Sequence, residues 1–264
     1  MILQPQKCRD EIRAALDLPE TSSELVLGSP SVPATVHDRF FGRKGAEGVW
    51  KRIVSAMPFH QVYVEPFLGT GWVMLHKLPA LTCSIGVDVD ADVPGFLLCS
   101  EVVPNFLGVK RDALELIPAL MPMAADWLLY ADPPYLMETR SYKRDYYRHE
   151  FSSVEQHQQL LNLLRQWPGP VMISGYASEL YARVLSSWAC EEIPSVTHRG
   201  KRVLECLWKN FEQPSRYHDT RFLGENFRDR ERIKRKKGRW LTRLRTMSPL
   251  DRTAILAAID ELQC

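Results

Sequence analysis

The sequence predicts an α/β fold with a largely parallel sheet and a basic helical extension at its C-terminal end. Three observations predict it. Short apolar runs alternate with segments of helical periodicity. The runs end on acidic or glycine-bearing turns, the place where ligands sit in open α/β sheets. Beyond residue 212 the chain changes character and becomes strongly basic.

The elements follow in order. A first helix is expected at about Lys7 to Leu16, where Ile12, Leu16 and the alanines between them form a weak apolar stripe. The stretch LPETSSELVLGSPSVPAT after it is rich in Pro, Ser and Thr and reads as a linker, which sets residues 1–36 apart from a body beginning near His37. A helical stretch at Val49 to Met57 leads to a strand at Val62 to Val64 that ends on Glu65. The turn Pro66 to Gly71 and a helix-like Trp72 to Leu78 come next. A second strand, Ser84 to Val87, ends at Asp88. Pro94 and Gly95 within Ala91 to Cys99 predict a short or irregular helix there. A third strand, Trp127 to Ala131, runs into Asp132-Pro133-Pro134-Tyr135. Ser152 to Trp167 is a helix capped by Ser152 or Ser153, with Glu155 in its first turn and leucines at helical spacing. Val171 to Ser174 and Val203 to Trp208 supply a fourth and a fifth strand. The body closes near residue 212, and residues 213–264 form the arm. Its last helix is capped by Ser248 with Pro249 at the first helical position.

Composition excludes several classes. With 264 residues, 45% hydrophobic and 25% charged, the chain is neither disordered, nor collagenous, nor a disulfide mini-protein. Its longest apolar-looking stretch, Leu116 to Ala131, is broken by Pro118, Pro122 and Asp126, so no membrane span is expected. The opening residues lack a signal-peptide pattern. The six cysteines are scattered and suit reduced thiols in a cytoplasm. Neither they nor the seven histidines show metal-ligand spacing, so no metal is assigned. The net charge of +2 hides an asymmetry: Arg228 to Arg245 holds ten Lys/Arg against Asp229 and Glu231, a local net of +8 that leaves the rest at −6. An acidic body with a basic arm points to a polyanionic partner.

Two motifs carry chemistry. In Glu65-Pro66-Phe67-Leu68-Gly69-Thr70-Gly71 the glycines let the backbone pass close to a ligand, although a plain tight turn reads the same way. Asp88 lies 23 residues after Glu65, at the next strand end, where a carboxylate can hold the two hydroxyls of a ribose. The third glycine of the dinucleotide fingerprint is missing, which leaves a nucleoside with a smaller tail. The second motif is Asp132-Pro133-Pro134-Tyr135. Its prolines stiffen the loop. A carboxylate beside a backbone carbonyl makes an acceptor pair for an NH₂ group, and the tyrosine offers a ring for a flat base.

Together these motifs resemble the Dam-like (D12 class) DNA adenine-N6 methyltransferases. Arg39-Phe40-Phe41-Gly42-Arg43-Lys44-Gly45 is similar to that family's opening motif, with Arg43 in place of a second glycine. Val171 to Tyr176 and Glu205 to Asn210 resemble its later strands, so the likeness covers about Asp38 to Phe211. The resemblance implies a Rossmann-like methyltransferase fold and S-adenosylmethionine as cofactor. It implies that Phe40, Lys44, Glu65, Phe67, Gly69, Gly71, Asp88 and Asp132 line the cofactor site, with Asp112 at the adenine, although Asp112 reads equally well as a helix cap. It also implies that Asp132, Pro133, Pro134 and Tyr135 carry catalysis on a flipped adenine, since the amino group is unreachable inside a duplex.

The chain departs from the family in one respect. Only 60 residues lie between Gly71 and Asp132, too few for a target-recognition insert, so little or relaxed sequence specificity is expected. Contact with DNA would fall to Arg140, Tyr142, Lys143, Arg144 and Arg148 after the catalytic motif. In the arm it would fall to Lys234, Arg235, Lys236, Lys237 and Arg239, unless that run is only a solvated face. A phage or mobile-element methyltransferase, nucleoid-associated in a bacterial cytoplasm, fits this reading. RNA as substrate, or a non-catalytic nucleic-acid-binding protein on a relict fold, are the alternatives. Protein-glutamine methylation fits less well, because such enzymes carry Asn where Asp132 stands.

Overall fold

The computed structural model describes residues 4–18, 48–140, 147–196 and 200–262. The chain divides into two compact units, Met1–Asp219 and Thr220–Cys264.

The first unit is built on a seven-stranded sheet. Its strands are β1 (Val62–Glu65), β2 (Cys83–Asp88), β3 (Phe106–Lys110), β4 (Trp127–Ala131), β5 (Val171–Gly175), β6 (Ala189–Val196) and β7 (Arg202–Lys209), in the spatial order β3-β2-β1-β4-β5-β7-β6. The β1–β2, β1–β4, β2–β3 and β4–β5 pairs are parallel, while β7 runs antiparallel to both β5 and β6. The order reverses between β1 and β4, so the C-terminal ends of these two strands flank the switch point where open α/β sheets bind ligands. The fold is Rossmann-like, with one reversed strand near its edge.

Helices α1 (Pro5–Ala15) and α2 (Val49–Ala56) precede β1, and α3 (Trp72–His76), α4 (Pro94–Val102), α5 (Ala113–Leu120), α6 (Val154–Gln166) and α7 (Glu179–Val184) connect the strands. Successive strand residues face opposite layers. Val62 and Val64 join a core with Cys8 and Ile12 of α1, Leu116 and Leu120 of α5, and Leu160, Leu161 and Leu164 of α6. Tyr63, between them, belongs to the opposite side and is fully buried. The strands β1, β4 and β5 have no exposed residue, as expected where both faces of a parallel sheet are covered.

Local chemistry explains several boundaries. Ser153 caps α6 in a reciprocal box, its hydroxyl accepting from the Gln156 N–H while the Gln156 side chain accepts from the Ser153 N–H. Asp112 caps α5 by accepting the Leu114 N–H at 2.8 Å. The segment expected to be short or irregular is instead a regular nine-residue helix, α4. Pro94 sits at its first turn, where the missing N–H costs nothing. Gly95 donates to the Gly69 carbonyl at 2.9 Å, and a Cβ there would lie 2.7 Å from that oxygen. Close packing on the β1 turn therefore accounts for this glycine. The strands β3 and β6 and the helix α7 go beyond the sequence reading, which contains α5 only as the helix that Asp112 would cap.

The second unit holds α8 (Phe227–Thr246) and α9 (Pro249–Glu261). The basic run is thus a 20-residue helix, capped by Asn226 accepting the Asp229 N–H, with no buried residue. Ser248 caps α9 with Pro249 in its first turn. Among the described residues no helix is long and apolar enough to cross a membrane.

Candidate active site

Four strand ends supply the site. β1 delivers Glu65 and the glycine turn, β2 delivers Asp88, β4 delivers Asp132 to Tyr135, and β5 delivers Ser174. The turn after β1 is possible because Gly69 and Gly71 adopt φ of 50° and 64°, in the left-handed region that other residues enter at a cost. A Cβ on Gly71 would also lie 2.6 Å from the Cys99 sulfur of α4. Asp88 ties the turn to β2: its Oδ2 accepts the Gly69 N–H at 2.9 Å, and its Oδ1 accepts the Asp90 N–H at 3.0 Å. Burial pushes the Asp88 carboxyl up to about 6, with those two N–H donors pulling the other way.

Glu65 is buried and accepts the Tyr63 hydroxyl at 3.0 Å. Burial lifts its carboxyl to about 8, opposed by the Tyr63 hydrogen bond and reinforced by the nearby Asp132 charge. Behind it Lys77 is buried, its ammonium 4.2 Å from the Tyr63 ring centre and 3.0 Å from the Leu78 carbonyl it donates to. Burial lowers that amine to about 7. Phe67 packs edge-on against Phe151, with ring centres 5.1 Å apart.

The loop after β4 is held on every side. Oδ1 of Asp132 accepts the Ser174 hydroxyl at 2.7 Å. The Pro134 carbonyl accepts from Nε2 of His157 at 3.1 Å. The Tyr135 carbonyl accepts from Nε of Arg140 at 2.7 Å, and the Tyr135 hydroxyl donates to Oε2 of Glu205 at 2.9 Å. Glu205 is fixed in turn by the Ser195 hydroxyl, which donates to Oε1 at 2.7 Å. Tyr176 meets the Tyr135 ring edge-on with centres 4.7 Å apart. Among the described residues the Pro133 carbonyl accepts no hydrogen bond.

The structure therefore brings Glu65, Phe67, Gly69, Gly71, Asp88 and the four residues Asp132 to Tyr135 to the same end of one sheet. Asp112 stands just past the end of β3 and is an exposed helix cap. Phe40, Lys44, Tyr142, Lys143 and Arg144 lie outside the described residues. Arg140 requires a correction. It was expected at phosphate, but it is buried and grips Glu150 through both terminal nitrogens, at 3.0 and 2.8 Å. A desolvated guanidinium already paired in a bidentate fork supports the loop from within. Arg148 is exposed and pairs with Asp92 at 2.8 Å, a solvent-screened contact that a phosphate could displace. Lys234, Arg235, Lys236, Lys237 and Arg239 are all exposed along α8.

Sequence reasoning missed Ser174, His157 and Glu205 as parts of the site. Ser174 ends the fourth predicted strand, which was its only signal. His157 and Glu205 reach the loop from 23 and 70 residues away and carry no motif.

No family model matches the chain, and no curated protein sequence matches it. Among solved structures it is similar to an S-adenosylmethionine-dependent methyltransferase from Agrobacterium tumefaciens, at 14% identity and a TM-score of 0.41, over 61% of this chain and 58% of that one. The chain thus spans little more than half the length of that protein. It is also similar to the N-methyltransferase NodS from Bradyrhizobium japonicum, at 10% identity and a TM-score of 0.44, over 63% of this chain and 94% of that one. A precorrin-8w decarboxylase from Methanobacterium thermoautotrophicum stands at 13% identity and 0.42, over 70% and 96%. These similarities carry no assignment of substrate.

Proposed function

We propose that this protein transfers a methyl group from S-adenosylmethionine to the N6 amino group of adenine in DNA, with relaxed sequence specificity. The observation that carries the reading is the loop after β4, in which Asp132 is oriented by Ser174 and is followed by Pro133, whose carbonyl accepts no hydrogen bond among the described residues. An NH₂ group has two protons to donate, and this loop offers two acceptors side by side.

The residues fit the cofactor. Asp88 is a carboxylate at a strand end suited to paired ribose hydroxyls, and Glu65, which burial lifts to about 8 in the free protein, would be drawn into its carboxylate form by a cationic amine. The turn of Gly69 and Gly71 brings backbone close to whatever occupies the switch point. By the resemblance, Phe67 and Asp112 would also face the cofactor, and so would Phe40 and Lys44, which lie outside the described residues. When bound, S-adenosylmethionine supplies the methyl group on an activated sulfonium centre.

The chain's own residues do the rest. The adenine amino nitrogen is a poor nucleophile because its lone pair is delocalised into the ring. Hydrogen bonds from its two N–H groups to Asp132 and the Pro133 carbonyl favour a pyramidal nitrogen with the lone pair exposed, and the proton that the nitrogen sheds on becoming methylated leaves by way of Asp132 to solvent. Tyr135 stacks on the base after it leaves the duplex, at an unstacking cost of a few kcal/mol. Rate then comes from positioning and electrostatics, and the stiffness of two consecutive prolines serves that end.

The 60 residues between Gly71 and Asp132 are taken up by α3, β2, α4, β3, α5 and β4, which supports relaxed specificity, since no recognition module is left there. Arg148 and the exposed cations of α8 would hold the phosphate backbone.

The test is incorporation of labelled methyl into duplex DNA, single-stranded DNA and RNA in parallel, with Asp132→Ala as control and nucleoside digestion to identify the product. N6-methyladenine in DNA, absent with the variant, is expected. Transfer to RNA alone would replace DNA by RNA in this reading, and no transfer to any polymer would overturn it.

A further inference from the structure

His157 lies on the second turn of α6 and is completely buried. Its Nε2 is 3.1 Å from two carbonyl oxygens, those of Pro134 and Phe151. Carbonyls only accept, so Nε2 must carry a proton. Burial pulls the imidazole down to about 4, so the ring is neutral near pH 7 and Nδ1 is an acceptor. The Tyr181 hydroxyl on α7 is 2.8 Å from Nδ1 and donates to it. One tautomer alone satisfies all four groups. The ring is held between Phe151, edge-on at 5.3 Å between centres, and Tyr181 at 5.7 Å.

Pro134 is the third residue of the acceptor loop. Prolines at 133 and 134 have fixed φ and no N–H, so the loop has few hydrogen bonds with which to set its ψ angles. Among the described residues its backbone is held through the Pro134 and Tyr135 carbonyls, the first by the Nε2 proton of His157, which the Phe151 carbonyl shares, and the second by Arg140.

We propose that His157 is a positioning residue for methyl transfer. Held in its Nε2–H form by Tyr181, it donates to the Pro134 carbonyl and thereby aims the Asp132 carboxylate and the Pro133 carbonyl at the substrate amine. It touches neither substrate nor cofactor. The inference rests on the methyl-transfer reading above for its kinetic consequence, and on the hydrogen bonds alone for its tautomer.

Two variants separate positioning from bulk packing. In His157→Gln the side-chain amide nitrogen reaches about as far as Nε2 and restores a donor for the Pro134 carbonyl. In His157→Asn the amide stops near the position of Nδ1 and leaves that carbonyl without its donor. With wild-type transfer established, the Asn variant should lose about 100-fold in kcat with cofactor Kd and DNA KM unchanged, and Gln should recover most of it. Wild-type kcat in the Asn variant would overturn the proposal. So would equal losses in both variants accompanied by weakened cofactor binding, which is the signature of a merely structural role.

Nitrogen NMR of the labelled protein supplies a readout that does not depend on activity and covers variants that fail to fold. At pH 7 the wild type should show a neutral His157 ring with a slowly exchanging Nε2 proton, and Tyr181→Phe should speed that exchange. A ring protonated at Nδ1 instead overturns the proposal whether or not the protein transfers methyl groups. A wild type that shows the expected tautomer but transfers no methyl overturns both the kinetic role and the methyl-transfer reading, and leaves the hydrogen bond standing.

Discussion

The hydroxyl of Ser174 donates to Oδ1 of Asp132 across 2.7 Å, and the Tyr130 hydroxyl lies 2.9 Å from the same Ser174 oxygen. Because the serine proton is committed to the carboxylate, Tyr130 must be the donor to Ser174. A buried chain of two hydroxyls from adjacent strands thus sets the plane of the carboxylate proposed to bind the reacting amine. Ser174→Ala should lower the transfer rate by about 10–100-fold, since small misplacements at the reacting centre carry that penalty. It also takes one acceptor from the Tyr130 hydroxyl, at a stability cost of about 1 kcal/mol. Steady-state kinetics alongside thermal melting checks both parts.

Asp132→Ala should abolish detectable transfer, a loss of about 1,000-fold or more, while the far-ultraviolet spectrum stays that of the wild type. Asp132 is only partly buried at the mouth of the sheet, so its removal leaves the core intact. Undiminished transfer in this variant would sink the proposed role.

Gly71→Ala places a Cβ at a φ of 64° and 2.6 Å from the Cys99 sulfur. The left-handed conformation alone costs about 1–2 kcal/mol. The overlap adds to that, because Cys99 of α4 is fully buried against the turn and its sulfur must shift to admit the new methyl group. The expected outcome is a lower melting temperature together with weakened cofactor binding, read by calorimetry. Cys99→Ala in the same chain should recover part of the stability.

Asp88 gives a pH dependence. Its folded value is raised to about 6 from 3.8, so the apoprotein prefers it protonated. That contribution to stability is fully present below the unfolded value and is lost as pH rises through about 6. Cofactor binding should have the opposite sign, because the ribose hydroxyls proposed to meet Asp88 need an acceptor. Affinity should therefore fall as pH drops below about 6, approaching tenfold per unit, and Asp88→Asn should flatten the profile. Titration calorimetry between pH 5 and pH 8 tests this.

Replacing Lys234, Arg235, Lys236, Lys237 and Arg239 by glutamine removes five exposed cations from α8. If each meets a phosphate, the slope of log affinity against log salt should become shallower by about 4 on duplex DNA. Product identity should not change, because no base-reading role is assigned to this helix. An unchanged slope would mean that the basic face is only solvated.

Strand-ending motifs were legible in the sequence because they are local. Asp132 to Tyr135 follows an unbroken apolar run, and Glu65 and Asp88 each close another, so residue order alone put them at strand ends. The two strands that escaped the sequence reading differ in pattern. β3, FLGVK, carries a glycine at its centre and ends on an exposed lysine. β6, ACEEIPSV, lies at the sheet edge and carries exposed Glu192 and a proline that a central strand could not hold. Gly95 misled for a related reason: it breaks helical propensity, and its necessity comes from the Gly69 carbonyl 26 residues earlier.

By itself the sequence determined the strands β1, β2, β4, β5 and β7, the helix α6 and the chemical groups that end the first three of those strands, because apolar periodicity, caps and stiff proline turns act over a few residues. Tertiary structure alone decided the rest: that β1 and β4 stand side by side at the switch point, that Ser174 turns its hydroxyl to Asp132, and that His157, Arg140 and Glu205 hold the loop after β4. Those contacts join residues up to 70 positions apart, and a hydrogen bond depends on separation in space, which the chain acquires only when its sheet closes over both core layers.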